Sequence, residues 1–380
     1  MLSVNAFFFM MKKVLFMIHD LGQGGAEKVL VNLVNNMDKN QFSVTVIALF
    51  GGGANERFLK PHVRYHVVFP KSVPGNSHLM KLLTPYALHK LFVKEQYDVE
   101  VSYLEGPSSR IISGCNAPNT KLVSWIHSDQ ATKAIISKSF RNFREAETCY
   151  KRFDRIVAVS ETIKQHFLEV IPVYNSICVL YNTNESEYIK HLALDQVDEG
   201  SFHSDEFKLV GVGKLVKNKG FDRLLRVVKR LVDDKSAVHL YLLGNGPDAE
   251  QLRWYVAENG LQNSVSFLGY QVNPYKYVSK CDLFVCSSFS EGFSTAATEA
   301  LIVGTPVCTV AVSGMKEMLG ENNEYGVITE NDEVALYEGI KRFVESPETL
   351  EYYKKKAKER GECFSTKSTV RAVEEMLLSL

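Results

Sequence analysis

Cysteine is scarce in this chain of 380 residues, and the seven that occur follow no metal-binding or disulfide spacing. An odd number of thiols set in apolar segments is typical of buried cysteines in a reducing compartment. No Asp-x-Asp follows a predicted strand either, so the sequence predicts no metal site. The cysteines are Cys115, Cys149, Cys178, Cys281, Cys286, Cys308 and Cys363.

Long apolar runs are also missing. No stretch reaches the roughly 20 apolar residues of a membrane helix, so we expect no transmembrane span and a cytoplasmic protein. Residues 2–11 are apolar but lack a basic region before them and small residues after them, which argues against a signal peptide. The functional start is left open among Met1, Met10 and Met11. A formal net charge of zero gives no indication of a nucleic acid partner.

Strand-like apolar runs alternate with helical periodicities in both halves of the chain, and glycine turns follow several of the strands. With 45% hydrophobic and 23% charged residues, the chain is long enough for two ordinary domains. We therefore predict an α/β fold of two Rossmann-like, parallel-sheet domains that face each other across a cleft. The predicted parts are an N-terminal domain over 1–190, a linker over 191–207, a C-terminal domain over 208–362, and a last helix over 363–380 that could cross back to the N-terminal domain.

The most informative stretch is residues 287–301. An apolar strand precedes it, small and hydroxyl residues form a turn, and a helix is predicted from Thr295. The first N–H groups of a helix have no intrahelical partner and attract anions, so this turn suits a phosphate. Glu291 precedes the helix, and Glu299 lies one turn after Thr295 on the same face. Two carboxylates beside a diphosphate suit a molecule with hydroxyl groups on both sides, such as a nucleotide sugar.

The same stretch resembles the Glu-x7-Glu motif of the retaining GT-B glycosyltransferases, and most closely glycosyltransferase family 4. The resemblance implies that Glu291 binds the donor sugar hydroxyls and that Glu299 binds the ribose. The alternative is an exposed helix with two solvated acids. The donor-binding residues implied for this stretch are Gly292, Phe293, Ser294, Thr295 and Glu299.

A second segment, residues 209–222, runs from an apolar strand into a turn that is rich in glycine and lysine. It resembles the Gly-Arg-Leu…Lys-Gly signature of the same family, except that Lys214 replaces the usual arginine. A lysine neutralises a diphosphate as a point charge but lacks the bidentate contact, so Lys219 is the firmer prediction. Both lysines are expected to stabilise the leaving diphosphate without a metal ion. Further predicted donor contacts are Gly213, Gly244 and Tyr270.

In the first half, Gly24 and Gly25 form a turn between a strand and a helix. The turn does not match the Gly-x-Gly-x-x-Gly dinucleotide pattern, and it could be a tight turn without a ligand. The family resemblance implies instead that both glycines face the donor phosphate and the acceptor, with Glu27 beside them.

His127 follows another predicted strand, and Ser128 or Asp129 is the predicted N-cap of the next helix. Ligands of open parallel sheets lie beyond the carboxyl ends of strands, which favours a functional role over a structural one. The resemblance implies that His127 faces the transferred sugar. Glu105 and Asp129 are weaker predictions for acceptor contacts.

Residues 79–94 are strongly apolar with interspersed lysines, and Pro85 interrupts them. Such a segment either packs on the core or lies on an anionic membrane surface, and the core-facing helix is the favoured interpretation. A later basic cluster suggests a phospholipid or other anionic acceptor, or equally a solvated face. Its members are Arg141, Arg144, Lys151, Arg152 and Arg155.

The resemblance implies a retaining glycosyltransferase that moves a hexose or N-acetylhexosamine from a UDP-sugar to a glycan, glycolipid or glycoprotein acceptor, without a cofactor. No protein nucleophile is evident at the spacing of paired-carboxylate glycosidases, so front-face departure assisted by the phosphate is the mechanism that fits. One alternative is a catalytically silent GT-B subunit that binds a glycan or a partner transferase. A UDP-sugar epimerase is the other.

Overall fold

The structure is a computed structural model, and it describes residues 11–71, 80–173, 176–197, 202 and 206–380. It divides into two compact units, Met1–Thr183 with Thr369–Leu380, and Asn184–Ser368. The predictions for residues 2–10, for most of the 71–77 loop and for much of the linker lie outside the described residues.

The first unit is built on a parallel sheet of seven strands among its described residues, in the order β3-β2-β1-β4-β5-β6-β7. Val14 to Ile18 in β1 are fully buried, which explains why this strand is a continuous apolar run rather than an alternating one. The strands are β1 (Lys12–Ile18), β2 (Phe42–Phe50), β3 (Arg64–Phe69), β4 (Val99–Ser102), β5 (Lys121–Ile126), β6 (Arg155–Ala158) and β7 (Ile177–Val179).

Six helices connect these strands in the described part of the first unit. Four of them begin after a Ser, Thr or Asn whose side chain accepts a hydrogen bond from the N–H three residues later, as expected of N-caps. The helices are α1 (Gly25–Asn36), α2 (Pro85–Phe92), α3 (Pro107–Ile112), α4 (Lys133–Ser137), α5 (Phe143–Tyr150) and α6 (Glu161–Val170).

The second unit is built on a six-stranded parallel sheet in the order β10-β9-β8-β11-β12-β13, counted over its described residues. Its strands are β8 (Phe207–Val212), β9 (Val238–Leu243), β10 (Val265–Gly269), β11 (Leu283–Cys286), β12 (Val307–Val310) and β13 (Val327–Thr329). The remaining helices are α7 (Ser186–Leu192), α8 (Phe221–Asp233), α9 (Ala249–Glu258), α10 (Tyr275–Val278), α11 (Thr295–Ile302), α12 (Met315–Leu319), α13 (Glu333–Glu345), α14 (Pro347–Cys363) and α15 (Thr366–Leu378).

The predicted α/β fold with two Rossmann-like parallel sheets is confirmed. In each sheet the strand order reverses once, between β1 and β4 in the first unit and between β8 and β11 in the second. Ligands of such sheets bind beyond the carboxyl ends of the strands at that reversal. The turns that follow these four strands are therefore where functional residues are expected.

The division between the units falls earlier than the predicted linker at 191–207. Asn184 already belongs to the second unit, as does α7. Ser186 and Lys190 explain this, because the Ser186 amide donates to the Thr366 hydroxyl at 2.9 Å and the Lys190 ammonium contacts Glu362 at 2.6 Å. The linker is predicted at 191–207 because that segment has few apolar residues. Composition gives no information on the polar contacts of Ser186 and Lys190, which lie before it.

The last helix, α15, begins in the second unit, and its residues from Thr369 onward belong to the first unit. Two polar contacts hold it there. The Lys12 ammonium donates to the Leu377 carbonyl at 2.7 Å, and the Asp38 amide donates to Glu374 at 2.6 Å.

The core-facing interpretation of residues 79–94 holds for Met80, Leu88 and Val93, which are buried, but not for four other apolar side chains. In α2 only Leu88 is buried, whereas Leu82, Leu83, Tyr86 and Leu91 are exposed. An amphipathic pattern shows that a helix has an apolar face, but it does not show whether another element covers that face.

Seven thiols are free, and five of them are buried as predicted; Cys178 is partly buried and Cys363 is exposed. Within the described residues, no helix is both long and apolar enough to cross a membrane.

The buried Arg110 joins α3 to the segment before α2, since its guanidinium donates to the carbonyls of Met80 and Leu83 and pairs with Glu145 at 2.9 Å.

We predict that Arg110→Met lowers the free energy of unfolding of the first unit by about 3 kcal/mol, because it leaves the partly buried Glu145 carboxylate without its arginine partner. Urea unfolding measures this. Arg371→Met, which removes an exposed pair with Glu375, serves as the control and should leave the midpoint unchanged.

Candidate active site

The turn after β11 carries Glu291, and the turn after β8 carries Lys219. The Lys219 ammonium lies 2.6 Å from Glu291 Oε1, and the Ser288 hydroxyl donates to the same oxygen at 2.6 Å. These turns follow neighbouring strands at the point where the sheet order reverses. The structure therefore brings together two residues that lie 72 positions apart and that the sequence assigned to one donor site.

A buried arginine that the sequence analysis missed holds this turn in place. Arg223, near the start of α8, donates from Nη2 to the carbonyls of Ser287 and Ser288, and its guanidinium lies 4.4 Å from the centre of the Phe289 ring. Nη1 donates to the Asn331 amide oxygen at 2.8 Å. Arg223 thus fixes the backbone just before Glu291 and acts as a positioning residue.

The predicted helix after this turn exists, and it begins at Thr295 with Ser294 as its N-cap. Phe293 is buried and its ring packs on Phe364, so its side chain faces the protein. A Cβ on Gly314 would lie 2.9 Å from the Gly292 carbonyl, and the backbone there has a φ of +78°. Glycine at 314 is therefore needed for the close approach of the two turns.

Glu299 lies one turn into α11, on the same face as Thr295, as predicted. It is buried, and the Tyr275 hydroxyl of α10 donates to its Oε1 at 3.1 Å. This contact orients Glu299, whose carboxylate oxygens are hydrogen-bond acceptors. Tyr275 is the second positioning residue that sequence reasoning missed.

The glycine positions around β8 and β9 are dictated by close backbone approach. At Gly244 the backbone has a φ of +136°, and a Cβ there would lie 1.9 Å from the Gly213 carbonyl oxygen. Gly220 has a φ of +63°, and a Cβ there would lie 2.0 Å from the Ser287 carbonyl oxygen. These contacts account for Gly220 and Gly244 without a ligand, whereas a Cβ on Gly213 would come no closer than 3.7 Å to another group. The donor contacts predicted for Gly213 and Gly244 stay predictions.

Lys214 and Tyr270 are both exposed. Among the residues that the structure describes, no ion pair or hydrogen bond is found for the Lys214 ammonium, in contrast to Lys219. Within the described residues, neither side chain forms a hydrogen bond or ion pair with the turn that carries Glu291. Their donor-binding roles therefore stay predictions.

In the first unit, His127 follows β5, and its ring lies 4.9 Å from that of Tyr103, which follows β4. Burial lowers the pKa of His127 to about 3, and a hydrogen bond with the Tyr103 backbone opposes this only in part. The Nε2 atom is buried and has no hydrogen-bond partner within the described part of the chain. A buried ring nitrogen without a partner is rare unless a ligand supplies one.

Glu105 and Asp129 support the His127 loop, which differs from the direct acceptor contacts predicted for them. Glu105 accepts from the His127 amide at 3.0 Å and from the Ser128 hydroxyl, and burial raises the pKa of its carboxyl group. Asp129 accepts from the Ala131 amide and pairs with His166 at 3.0 Å. The predicted N-cap at Ser128 or Asp129 is wrong, because the next helix begins later and Thr132 caps it.

The glycine turn after β1 leads into α1, with Gly24 as its exposed N-cap and Gly25 as its first residue. A Cβ on Gly24 would lie 2.0 Å from a carboxylate oxygen of Glu27, so any larger residue at this position would displace that carboxylate. Burial raises the pKa of Glu27, and the charges of Asp20 and Glu105 add to that effect. The carboxylates of Glu27 and Glu105 thus lie near each other at the β1/β4 reversal.

Comparison with known proteins identifies the class. The family model for group 1 glycosyl transferases matches residues 195–360, and the model for glycosyltransferase family 4 matches residues 23–183. Between them the two matches span most of the chain. The protein is therefore a glycosyltransferase of group 1 with the GT-B fold, and it belongs to the family 4 enzymes that its motifs resemble.

Relatives and solved structures cover almost the whole chain. A Campylobacter jejuni N-acetylgalactosamine-N,N'-diacetylbacillosaminyl-diphospho-undecaprenol 4-alpha-N-acetylgalactosaminyltransferase is 28% identical over 97% of this chain and 100% of its own length. A second Campylobacter jejuni alpha-1,4-N-acetyl-D-galactosaminyltransferase, named for a PP-undecaprenol-linked glycan, is 25% identical over 86% of this chain and 87% of its own. The fold also matches Anabaena HepE in complex with UDP and glucose, with a TM-score of 0.78, 21% identity and coverage of 97% and 100%.

We predict that His127 stays neutral across the physiological range, because its folded-state pKa of about 3 lies far below the ordinary 6.5. Its Cε1–H chemical shift, assigned by its loss in His127→Asn, should not change between about pH 8 and about pH 5. The unfolded chain binds this proton near pH 6.5 and the folded chain only near 3, so acid weakens the folded state over that interval. A midpoint near 6.5 in the folded protein would contradict the burial.

Proposed function

We propose that this glycosyltransferase transfers a hexose or N-acetylhexosamine from a UDP-sugar to a lipid-linked glycan, with retention of the anomeric configuration. The observation that carries the proposal is the arrangement of Lys219, Glu291 and Ser288 at the start of α11, with Glu299 one helical turn further on. A cation, a helix N-terminus and two carboxylates match a sugar diphosphate that carries hydroxyl groups on both sides.

Charge complementarity supports the assignment of the diphosphate to this turn. Lys219 is now paired with Glu291 and remains 30% exposed, so a diphosphate can reach its ammonium without full burial of the pair. When the bond from the anomeric carbon to the phosphate oxygen breaks, its electron pair goes to the diphosphate. Lys219, Lys214 and the first amides of α11 would stabilise that charge, so the proposal requires no metal ion at the diphosphate.

The acceptor hydroxyl forms the new bond to the anomeric carbon, and its proton passes to the departing phosphate. Glu291 would hold the sugar hydroxyls by accepting hydrogen bonds, and Glu299 would accept those of the ribose. His127 is assigned to the transferred sugar by the family resemblance. Its neutral ring and unpartnered Nε2 support a role as a hydrogen-bonding group rather than as a cation.

Two kinds of similarity support the choice of donor and acceptor. HepE was solved with UDP and glucose, and both Campylobacter jejuni relatives are named for undecaprenol-linked glycans. A few pocket contacts distinguish one sugar from another, each worth about 1–3 kcal/mol, so we propose the class and leave the particular sugar to assay.

We predict that Glu299→Gln weakens UDP binding by about tenfold, because an amide accepts fewer hydrogen bonds than a carboxylate, and that Glu291→Ala lowers turnover with a smaller effect on UDP binding. Calorimetry with UDP and release of UDP from a panel of UDP-sugars with lipid-linked acceptors measure the two effects. The control is Glu338→Gln, which replaces an exposed acid on α13. UDP binding without turnover on any acceptor would favour a silent subunit, and unchanged binding in Glu299→Gln would place the donor elsewhere.

We further propose that the first unit contacts an anionic membrane surface through the Leu82 patch, which consists of Leu82, Leu83 and Tyr86. All three side chains are exposed, and Lys81 and Lys90 flank them in the chain. Arg141 adds a third cation, because its guanidinium donates to the carbonyls of Lys81 and Leu82. Apolar side chains surrounded by cations match a bilayer interface with anionic lipid headgroups.

Two other members of the predicted basic cluster bond within the protein. Lys151 pairs with Glu147 at 2.7 Å, and Arg152 donates to the Cys115 carbonyl at 2.6 Å. These bonds satisfy both side chains within the protein. The membrane proposal therefore rests on Arg141 and the two lysines rather than on the whole cluster.

We predict that Leu82→Glu lowers binding to vesicles that contain anionic phospholipid by at least about tenfold, because it places a negative charge at the apolar centre of the patch. Leu194→Glu is a matched control, since Leu194 is 78% exposed and Leu82 is 77% exposed. Vesicle sedimentation measures the difference. Equal loss of binding in both variants, or no binding by the unmodified protein, would contradict the proposal.

A further inference from the structure

Three side chains from separate elements converge inside the first unit, away from the carboxyl ends of its strands. His89 belongs to α2, Glu100 is the second residue of β4, and Cys115 follows α3. His89 Nε2 lies 2.7 Å from one oxygen of Glu100, and Cys115 Sγ lies 3.7 Å from the other. Their ligand atoms all lie within 4.8 Å of one another, the one such group found among the described residues.

Glu100 occupies an unfavourable position for an acid. It stands in the middle strand of the sheet, it pairs in register with Leu15 and Leu122, and it is 1% exposed. A carboxylate is buried in this way only with partners that compensate its charge. Its two oxygens are directed at an imidazole and a thiol, which are the two other donor groups that zinc prefers in proteins.

We propose that His89, Glu100 and Cys115 bind one zinc ion, or another borderline transition metal of the same ligand preference. Calcium and magnesium are not candidates, because they take oxygen ligands and this set offers nitrogen and sulfur. The function is separate from glycosyl transfer and does not depend on the donor site. The carboxyl end of β4, where Glu105 follows, is the opposite end of the strand from Glu100.

Two of the three groups bind a metal only without a proton, the thiol as a thiolate and the imidazole as the neutral ring. Metal binding would therefore release protons and would depend on pH.

Two of the three separations can be compared with those that a tetrahedral site needs, and the third, between the His89 nitrogen and the Cys115 sulfur, is no more than 4.8 Å. With metal distances of about 2.0–2.1 Å to nitrogen and oxygen and about 2.3 Å to sulfur, ligand atoms lie about 3.3–3.6 Å apart. The 3.7 Å contact between sulfur and oxygen fits this range, and the 2.7 Å contact between nitrogen and oxygen must lengthen when the metal replaces the proton between them. The His89 side chain is 14% exposed, which provides an entry path and room for a water as the fourth ligand.

The position of the site indicates what the metal would do. Among the described residues of α2 only Leu88 is buried, so apolar packing holds this helix weakly. A metal on the adjacent His89 would tie α2 to the central strand of the sheet and to the chain after α3. Arg152 already fixes the backbone there through the Cys115 carbonyl and the Asn116 side chain. The metal would therefore stabilise the helix that carries Tyr86 of the Leu82 patch.

The test uses the full chain after dialysis against a chelator, with a phosphine reductant that keeps the thiols reduced. Cobalt(II) is added as an optical probe, because a thiolate ligand gives a charge-transfer band in the near ultraviolet, and zinc should then displace it. We expect one equivalent of cobalt per chain, loss of the band in Cys115→Ser, and at least about tenfold weaker binding in His89→Gln. The control is Cys363→Ser, which removes the exposed thiol and should keep the band.

Two results would overturn the proposal: no band in the unmodified protein, or a band that survives Cys115→Ser. If Cys115→Ser does not fold, zinc absorption spectroscopy on Cys363→Ser decides the question. One sulfur ligand together with nitrogen and oxygen ligands supports the site, and a spectrum without sulfur rejects it. None of these readouts depends on sugar transfer, so failure here is distinguishable from failure of the proposed function.

Discussion

The ion pair between Lys219 and Glu291 is the contact on which the proposed donor site depends. It exists because β8 and β11 are adjacent strands at the reversal of the sheet, so the turns that follow them meet. Helix α11 begins at Thr295, in the same turn that carries Glu291. Arg223 fixes the backbone before Glu291, because its guanidinium donates hydrogen bonds to the successive carbonyls of Ser287 and Ser288. A buried cation that is satisfied by backbone carbonyls restricts the turn more than apolar packing would.

Much of this site could be predicted from the sequence, because the decisive features are local in the chain. The spacing of Glu291 and Glu299 fixes their relation to the start of a helix, and glycine marks turns where backbones approach closely. The family motifs then related Lys219 to Glu291. Arg223 and Tyr275 could not be predicted in the same way. Each acts on a turn or helix far along the chain, and an arginine inside an amphipathic helix gives no sign that it is buried.

The features that the sequence did not reveal share one physical cause. Residues 79–94 have an apolar pattern, but only the tertiary structure shows that Leu82 and Tyr86 remain uncovered. Nothing in the sequence indicates that His89, Glu100 and Cys115 converge, because their spacings of 11 and 15 residues match no metal motif. Glu105 follows a strand as a ligand-binding acid would, yet its carboxylate braces the His127 loop. In each case the decisive partner comes from an element that the local sequence does not specify.

A crystal structure with UDP tests the central claim most directly, because the claim concerns where the diphosphate and the ribose lie. The account predicts the diphosphate against the Lys219 ammonium and the first amides of α11, with the ribose hydroxyls on Glu299 and no divalent ion between them. Bound UDP at any other place on the chain, or a metal ion bridging its diphosphate to the protein, would contradict it.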